Sequence, residues 1–189
     1  NILESICIIA LTKTYKSGVE SNIIQFGKKQ AKLKAKVKKN GLTNYLEIDV
    51  DNGNKSIKVN HDDIKNIDDY ISNLNVIVFT PEDLDIIKGS PHIRRNLINM
   101  QLSQVLHSYI NTYNEYNKIL KIRNEYLKLL LTSSIADKNY LDVITDKLIE
   151  KAIIIYQERK KYLDLVNERI GIIFKNITSS GNLVLKYVT

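Results

Sequence analysis

Alternating apolar and charged positions mark the part of the chain between residues 23 and 59. The clearest stretch places Ala31, Leu33, Ala35 and Val37 between lysines at 32, 34, 36 and 38. A period of two is typical of a β-strand with one buried and one exposed face. Asn-Gly pairs at 40–41 and 52–53 favour tight hairpin turns. The pattern predicts a three-stranded antiparallel meander with a basic outer face.

Apolar residues at three- and four-residue steps predict helices in three further segments. Residues 98–130 and 141–173 carry long stripes of this kind, and the polar link at 132–137 is rich in helix-capping residue types. Two facing stripes with a short link predict an antiparallel helical hairpin. The third helix spans residues 1–11, and its inward-facing residues are expected to be Ile2, Leu3, Ile6, Ile9 and Ala10.

Short segments complete the predicted α+β fold. Residues 62–74 are acidic and predict a short helix. This helix leads into Val76-Ile77-Val78-Phe79, four β-forming residues expected in a strand buried on both faces. Gly181 and Asn182 precede residues 183–188, which predict a final strand.

Pro81 ends the predicted strand at 76–79, because proline has no amide donor for a β-ladder. It also suits the first position of a helical turn, with Glu82-Asp83 near the positive end of the helix dipole. Gly89-Ser90-Pro91 breaks the chain again, directly before a helix that Arg94-Arg95 open. From the pattern alone, an ordinary strand–turn–helix corner explains these residues.

The segment from Pro81 to Asn99 also resembles the first signature of the RecF family, bacterial recombination and gap-repair proteins with an ABC/SMC-like ATPase head. Leu97 departs from that signature, where phenylalanine is usual. Residues 1–6 resemble the helix after the family's phosphate-binding loop, and residues 116–128 resemble its helical arm. The matching signature positions are Pro81, Glu82, Ile86, Ile87, Gly89, Ser90, Pro91, Arg94, Arg95, Ile98 and Asn99.

The resemblance implies a domain organisation and a set of site residues. It implies a partial ATPase head lobe at 1–91, a helical-hairpin arm at 92–176 and a strand at 177–189 that returns to the head. Lys16 stands in a basic loop where the family usually has arginine, and it is a candidate to lie near the nucleotide. A solvated loop is the alternative. The signature residues of interest are Pro81, Glu82, Asp83, Lys88, Gly89, Pro91, Arg94 and Arg95.

The implied full-length protein uses ATP and Mg²⁺, forms an ATP-dependent homodimer and binds gapped DNA at single-strand/duplex junctions. With recombination mediator proteins it helps to load recombinase, in DNA replication, recombination, repair and the SOS response. The family's phosphate-binding loop would precede Asn1, and its ABC signature and Walker B motif would follow Thr189. No G-x-x-x-x-G-K-[ST] pattern occurs in the chain. We therefore expect a piece of a longer protein that needs no cofactor and is inactive as an enzyme alone.

The net charge of +7 over 189 residues is compatible with binding to a polyanion. Mere solubility is the alternative explanation for the lysine face of the meander. With a single cysteine, Cys7, and no run of membrane-spanning length, the composition favours a reduced cytoplasm and no membrane contact. The candidate DNA contacts are Lys34, Lys36, Lys38, Lys121, Arg123 and Lys128.

Other chemistry finds little support in the sequence. His61, His92 and His107 do not have metal-ligand spacing, and Cys7 has no obvious base beside it. No metal site or nucleophile is therefore expected. The rival function is a non-enzymatic structural or protein-interaction module that carries a coiled-coil hairpin. The signature at 81–99 discriminates between the two and favours the RecF-like function.

Overall fold

The computed structural model describes residues 2–14, 23–39, 41–51, 54–132 and 137–188. The expected fold class, α+β with an antiparallel sheet and a long helical hairpin, is confirmed. Contacts divide the chain into two compact units, Asn1–His107 and Ser108–Thr189. The division into a head lobe, an arm and a returning strand is a functional one and stays a prediction. Predictions for Lys16, Asn40, Asn52, Gly53 and most of the 132–137 link lie outside the described residues.

The first unit is built on an antiparallel sheet whose strands pair in sequence order: β1 (Gln30–Lys39), β2 (Leu42–Asp51), β3 (Asn54–Val59) and β4 (Asp62–Asp63). The predicted meander is confirmed, and a two-residue strand extends it. In β1 the lysines are exposed and the residues between them half-buried, as the alternation predicts. Gly41 follows β1 with a φ of 81°, a left-handed conformation that suits glycine in a tight turn.

The core of this unit forms where helix α1 (Ile2–Leu11) packs on the sheet. The Tyr70 hydroxyl donates a hydrogen bond of 2.6 Å to the carbonyl oxygen of Ile9, and burial raises the pKa of Tyr70. This bond ties the segment after the sheet to α1. The buried apolar cluster consists of Ile8, Ile9, Leu46, Ile48, Val50, Ile57 and Tyr70.

The prediction for the inward face of α1 is wrong in its first turns. Ile2 is 79% exposed and Leu3 69% exposed, whereas Cys7, Ile8, Ile9 and Ala10 are buried. Because α1 is apolar on nearly all sides, the sequence periodicity does not select which face packs inward.

Residues 62–80 also differ from the prediction. Only α2 (Ile67–Tyr70) is helical in the segment expected to form an acidic helix. Val76–Phe79 is extended but forms no strand, and Ile77 and Phe79 are 84% and 85% exposed. A strand buried on both faces needs a neighbouring strand at its edge and cover on each side, and the described residues supply no such strand here.

The signature segment is helical on both sides of Gly89. A 3-10 helix spans Pro81–Leu84, so the prediction that proline opens a helical turn is confirmed. Helix α3 (Asp85–Lys88) continues from it, and α4 (Pro91–Val105) begins with proline at its first positions.

The first long helix is interrupted where the periodicity predicts an unbroken one. Helix α4 ends at Val105 and α5 (His107–Thr132) begins two residues later. Leu106 between them is extended, with φ −120° and ψ 101°. Neither glycine nor proline lies at this position, so the sequence offers no local signal for the break.

The second unit confirms the predicted antiparallel hairpin, formed by α5 and α6 (Lys138–Thr178). Lys151 and Glu115 form an ion pair of 2.8 Å between the helices. Nearer the turn, Arg123 Nε donates to Thr145 Oγ1 at 3.0 Å. The buried apolar residues of the two helices are Tyr109, Ile110, Ile144, Ile155 and Leu163.

The predicted strand at 183–188 does not form among the described residues; the segment runs along α6 instead. The Asn167 amide donates to Leu185 O at 2.9 Å, and Leu185 N donates to Asn167 Oδ1 at 2.8 Å. Arg159 Nη1 donates to the Tyr187 hydroxyl at 2.9 Å. A side-chain carboxamide therefore pairs with the backbone where a neighbouring strand would. Return of this segment to the head stays a prediction.

Candidate functional site

Asp83 caps the 3-10 helix of the signature segment. Its Oδ2 accepts the backbone amide of Thr80 at 2.6 Å, and the Thr80 hydroxyl lies 3.4 Å from the same oxygen. A carboxylate that accepts amide protons at a helix start offsets unpaired donors there. The capping bond fixes the step from the extended segment 76–79 into the helical turn that Pro81 opens.

Gly89 is required at the second break by close packing. A Cβ atom at this position would lie 2.6 Å from Asp85 O and 2.5 Å from Ile93 Cδ1. Its φ of −84° is one that any residue adopts, so backbone freedom is not the reason for glycine. The Gly89 amide donates to Asp85 O at 2.7 Å and closes α3. The absence of a side chain at Gly89 thereby lets α4 pack against α3.

Arg94 folds back onto the end of α3. Its Nη1 donates to Ile86 O at 2.9 Å and to Gly89 O at 3.2 Å. Carbonyl groups at a helix C-terminus lack intrahelical partners and carry the negative end of the dipole, so a guanidinium is a favourable partner. The hydrogen bonds of Arg94 are therefore made to backbone carbonyls at the end of α3 and not to Asp83. The Glu82 side chain lies outside the described atoms.

Arg95 differs from its neighbour, although both are exposed. Among the described residues no hydrogen bond or ion pair engages the Arg95 guanidinium. Lys88, in the last turn of α3, is also exposed. Of the cationic residues in the signature, Arg94 makes hydrogen bonds within the corner. Lys88 and Arg95 have no hydrogen-bond or ion-pair partner for their side chains in the described part of the chain.

The basic face of the sheet is partly neutralised by its own neighbours. Lys32 pairs with Asp49 at 3.1 Å. Lys34 pairs with Glu47 at 3.0 Å, and its hydrogen bond holds the pKa of Glu47 below the usual range. His61 Nδ1 lies 3.2 Å from the other Glu47 oxygen. Two of the lysines on this face therefore already have an anionic partner on β2.

The other two lysines on this face, Lys36 and Lys38, form no ion pair with another described residue. Lys36 Nζ lies 5.6 Å from the centroid of the Tyr45 ring, a cation–π distance that leaves the ammonium accessible. Lys38 is exposed, and among the described residues no ion pair engages it. Of the three predicted contacts on the sheet, Lys36 and Lys38 are better placed to meet an external phosphate than Lys34.

The three candidates on the arm divide in the same way. Lys121 lies 4.0 Å from Glu125 in an exposed pair one helical turn apart. Arg123 is half-buried and donates to Thr145 across the hairpin. Lys128 is exposed. Arg123 thus has a structural contact within the hairpin, and Lys128 is the freest of the three.

Sequence reasoning missed the most buried polar group of the first unit's second half, Gln104, which is 3% exposed. Its carboxamide accepts Val76 N at 2.7 Å and donates to Val76 O at 3.1 Å. A glutamine inside an apolar-periodic helix is the only signal that the sequence offers for such a contact.

In the described part of the chain, no helix combines the length and apolar character needed to cross a membrane.

Comparison with proteins of known identity gives consistent results. The chain is 36% identical over 163 residues to "DNA replication and repair protein RecF" of Listeria welshimeri. It is 37% identical over 168 residues to the protein of that name in Oceanobacillus iheyensis and 41% identical over 150 residues to that in Enterococcus faecalis. The alignments cover 86%, 89% and 79% of this chain, but 44%, 46% and 40% of the relatives. No model of a known protein family matches.

Two solved structures share the fold. They are described as the recombination mediator protein RecF in the RecFOR pathway, one with ATPrS and one with ATP. Their TM-scores are 0.85 and 0.87 at 25% sequence identity, and each match covers 94% of this chain and 48% of the other. The chain spans less than half the length of the relatives and structures that it matches, and over that span it belongs to the RecF family.

Proposed function

We propose that the protein containing this chain acts in DNA replication and recombinational repair, and binds gapped DNA at single-strand/duplex junctions in an ATP-dependent manner. The support is its similarity to relatives named for DNA replication and repair and to structures described as a recombination mediator. Recombination mediator proteins and an ATP-dependent second copy of the protein are the proposed partners. The cytoplasm is the proposed location.

The observation that carries the proposal is the construction of the signature corner. Asp83, Gly89 and Arg94 are each used to fix its geometry. The corner uses close packing at Gly89 and the guanidinium of Arg94 for its own structure, whereas Arg95 beside it remains exposed. We infer that the corner exists to present Arg95 and Lys88 to an anionic group, either a phosphate or a carboxylate of another part of the assembly.

ATP and Mg²⁺ are assigned to parts of the polypeptide outside these residues. The chain has no G-x-x-x-x-G-K-[ST] pattern, so its own backbone lacks the usual phosphate cradle. In this proposal the residues of the chain position other elements and contact DNA. The chain alone is expected to hydrolyse no ATP.

The DNA contacts are proposed to be electrostatic. The best candidates are those whose ammonium groups form no ion pair with another described residue: Lys36 and Lys38 on the sheet and Lys128 on the arm. Contacts of this kind act on phosphates and carry no base specificity. Recognition of a gap would then depend on how the whole assembly fits the junction rather than on base reading.

Fluorescence anisotropy with the full-length protein tests the proposal. Labelled gapped duplex, intact duplex and single strand are titrated with and without ATP and Mg²⁺. We expect the gapped duplex to bind most tightly, and only with nucleotide. Equal affinity for all three DNAs, unchanged by ATP, would instead favour the rival protein-interaction module.

A further inference from the structure

The hairpin turn between β3 and β4 has a backbone conformation that suits glycine better than its own residues. Val59 pairs with Asp62, so Asn60 and His61 form a two-residue turn. Their φ angles are 52° and 74°, and positive values at both positions are typical of a type I′ turn. Glycine is the usual second residue of such a turn, and a left-handed residue with a side chain is less stable there. The imidazole of His61 is therefore a candidate for a role that glycine could not fill.

The turn places the ring of His61 beside Tyr45 of β2. The Asn60 amide donates to Tyr45 O at 2.8 Å, and Tyr45 N donates to Asn60 Oδ1 at 2.9 Å. The rings of Tyr45 and His61 are stacked, with centroids 5.8 Å apart and planes 20° from parallel. Glu47 Oε1 lies 3.2 Å from His61 Nδ1 and helps to hold the imidazole in this orientation. Tyr45 and His61 together are called the aromatic pair below.

The aromatic pair is exposed on the outer face of the sheet. Tyr45 is 43% exposed, and the side chain of His61 is 74% exposed. Leu46 and Ile48, which point to the opposite face of β2, are fully buried in the core. The pair therefore contributes little to the core and offers ring surface to a planar group from outside.

Lysines of β1 lie along the same face as the aromatic pair. Lys36 is directly opposite Tyr45 in the strand register, and its Nζ lies 5.6 Å from the centroid of the ring. Lys38 follows on the same face, ~6.8 Å further along a strand of standard geometry. Ammonium groups that follow the backbone, next to rings that stack on bases, are the combination with which proteins bind single-stranded nucleic acid.

We propose that this face binds the unpaired strand of gapped DNA, with a base stacked on the aromatic pair and neighbouring phosphates on Lys36 and Lys38. This assignment rests on the proposed function and names the part of the DNA that the face contacts. The two ammonium groups are spaced along β1, as successive phosphates are along one strand, which favours a DNA strand over a free nucleotide.

Stacking on the aromatic pair would make this face selective for unpaired DNA without reading its sequence. Every base has a flat face that can stack on an aromatic ring, so all four bases are accepted. In an intact duplex the bases are held inside the helix and must be extruded before a protein can reach them. The face would therefore favour the single-stranded side of a junction.

Anisotropy titrations of the full-length protein, with ATP and Mg²⁺, test the assignment. Two single-stranded oligonucleotides of equal length are compared, one with natural bases and one in which every nucleotide is abasic. Both have the same phosphates, so they differ only in what can stack. We expect the wild type to bind the abasic strand about fivefold or more weakly, the lower end of the effect of one stacked base.

Three variants separate stacking from charge. His61→Gly removes one ring and suits the turn, and Tyr45→Val removes the other ring and keeps a strand-forming residue. Both should bind the natural strand about fivefold more weakly and the abasic strand as tightly as the wild type. Lys36→Ala is the contrasting variant, since the loss of a phosphate contact should weaken binding to both strands by the same factor.

The assignment is overturned if folded His61→Gly binds the natural strand as tightly as the wild type, or loses the same factor on both strands. Thermal unfolding reports whether each variant is folded, and His61→Gly gives a result even where Tyr45→Val does not fold. Equal binding of the natural and abasic strands by the wild type would overturn the assignment but leave the proposed function intact. Failure of the wild type to bind any DNA, gapped duplex included, would overturn both.

Discussion

The guanidinium of Arg94 lies 2.9 Å from the carbonyl oxygen of Ile86, the last turn of a helix only four residues long. So short a helix has too few internal hydrogen bonds to persist alone. The arginine supplies a partner for its terminal carbonyls and closes the corner around Gly89. Two adjacent arginines that look equivalent in the sequence therefore have different roles.

Arg94→Lys is expected to destabilise the protein by ~0.5–1 kcal/mol, because both bonds come from Nη1 and the lysine side chain is one atom too short to bring its ammonium to that position. Arg95→Lys should leave stability unchanged. Denaturant titration measures both. In the full-length protein, Arg95→Lys should reduce ATP-dependent dimerisation or DNA-stimulated hydrolysis. If both arginine variants match the wild type in stability and in activity, the corner has neither role.

Gly89→Ala is expected to cost ~1–3 kcal/mol, the usual range for overpacking, because the added methyl group meets a backbone oxygen and Ile93. Gly171→Ala is the matched comparison in a helix. There the nearest atom is Asn182 Oδ1 at 2.8 Å, the end of a side chain that can rotate, so the cost should be smaller. Thermal or denaturant unfolding of both variants checks the order. Equal destabilisation by the two substitutions would mean that Asp85 O and Ile93 move away from a Cβ atom at Gly89 with little loss of stability.

The meander and the hairpin follow from the sequence because their periodicity determines which face is buried. The alternation in β1 fixes its lysines outward, and the stripes of α5 and α6 face each other at the contacts Lys151–Glu115 and Arg123–Thr145. Such patterns act through many residues at once, so single exceptions do not change the outcome.

Each feature that the sequence did not predict involves a residue that is distant in the chain. Val76–Phe79 has the composition of a central strand, but pairing requires neighbours that these residues do not supply. Gln104, two residues before the break at Leu106, pairs with Val76, which lies 28 positions away. The partners of Arg94, Ile86 O and Gly89 O, lie on the far side of the helix break at Gly89. Local pattern contains none of this information.

Glu47 predicts a pH dependence of stability. The hydrogen bond from Lys34 and the nearby charges of Lys34 and His61 lower its pKa in the folded state below the ordinary value of 4.5. The unfolded chain therefore binds the proton more readily, so this contribution is complete above pH 4.5 and is lost as the pH falls through the folded pKa.

Glu47→Gln should be less stable than the wild type at neutral pH. Its free energy of unfolding should also fall less than that of the wild type as the pH is lowered into the acid range. The denaturant midpoint as a function of pH measures this. Asp164→Asn removes one exposed carboxylate from α6 and is the control for the loss of a single charge. A Glu47→Gln profile parallel to that of the wild type would contradict the assigned pKa shift.

Salt dependence distinguishes lysines that contact DNA from those already paired within the sheet. Lys38→Ala should weaken DNA binding by the full-length protein and reduce the slope of log K against log salt by ~0.7–0.9, the value for one lost phosphate contact. Lys32→Ala removes the same net charge, but its ammonium is paired with Asp49 at 3.1 Å, so the slope should change little. Anisotropy titrations at several salt concentrations give both slopes. Equal losses in the two variants would show that bulk charge, not position on the β1 face, governs the interaction.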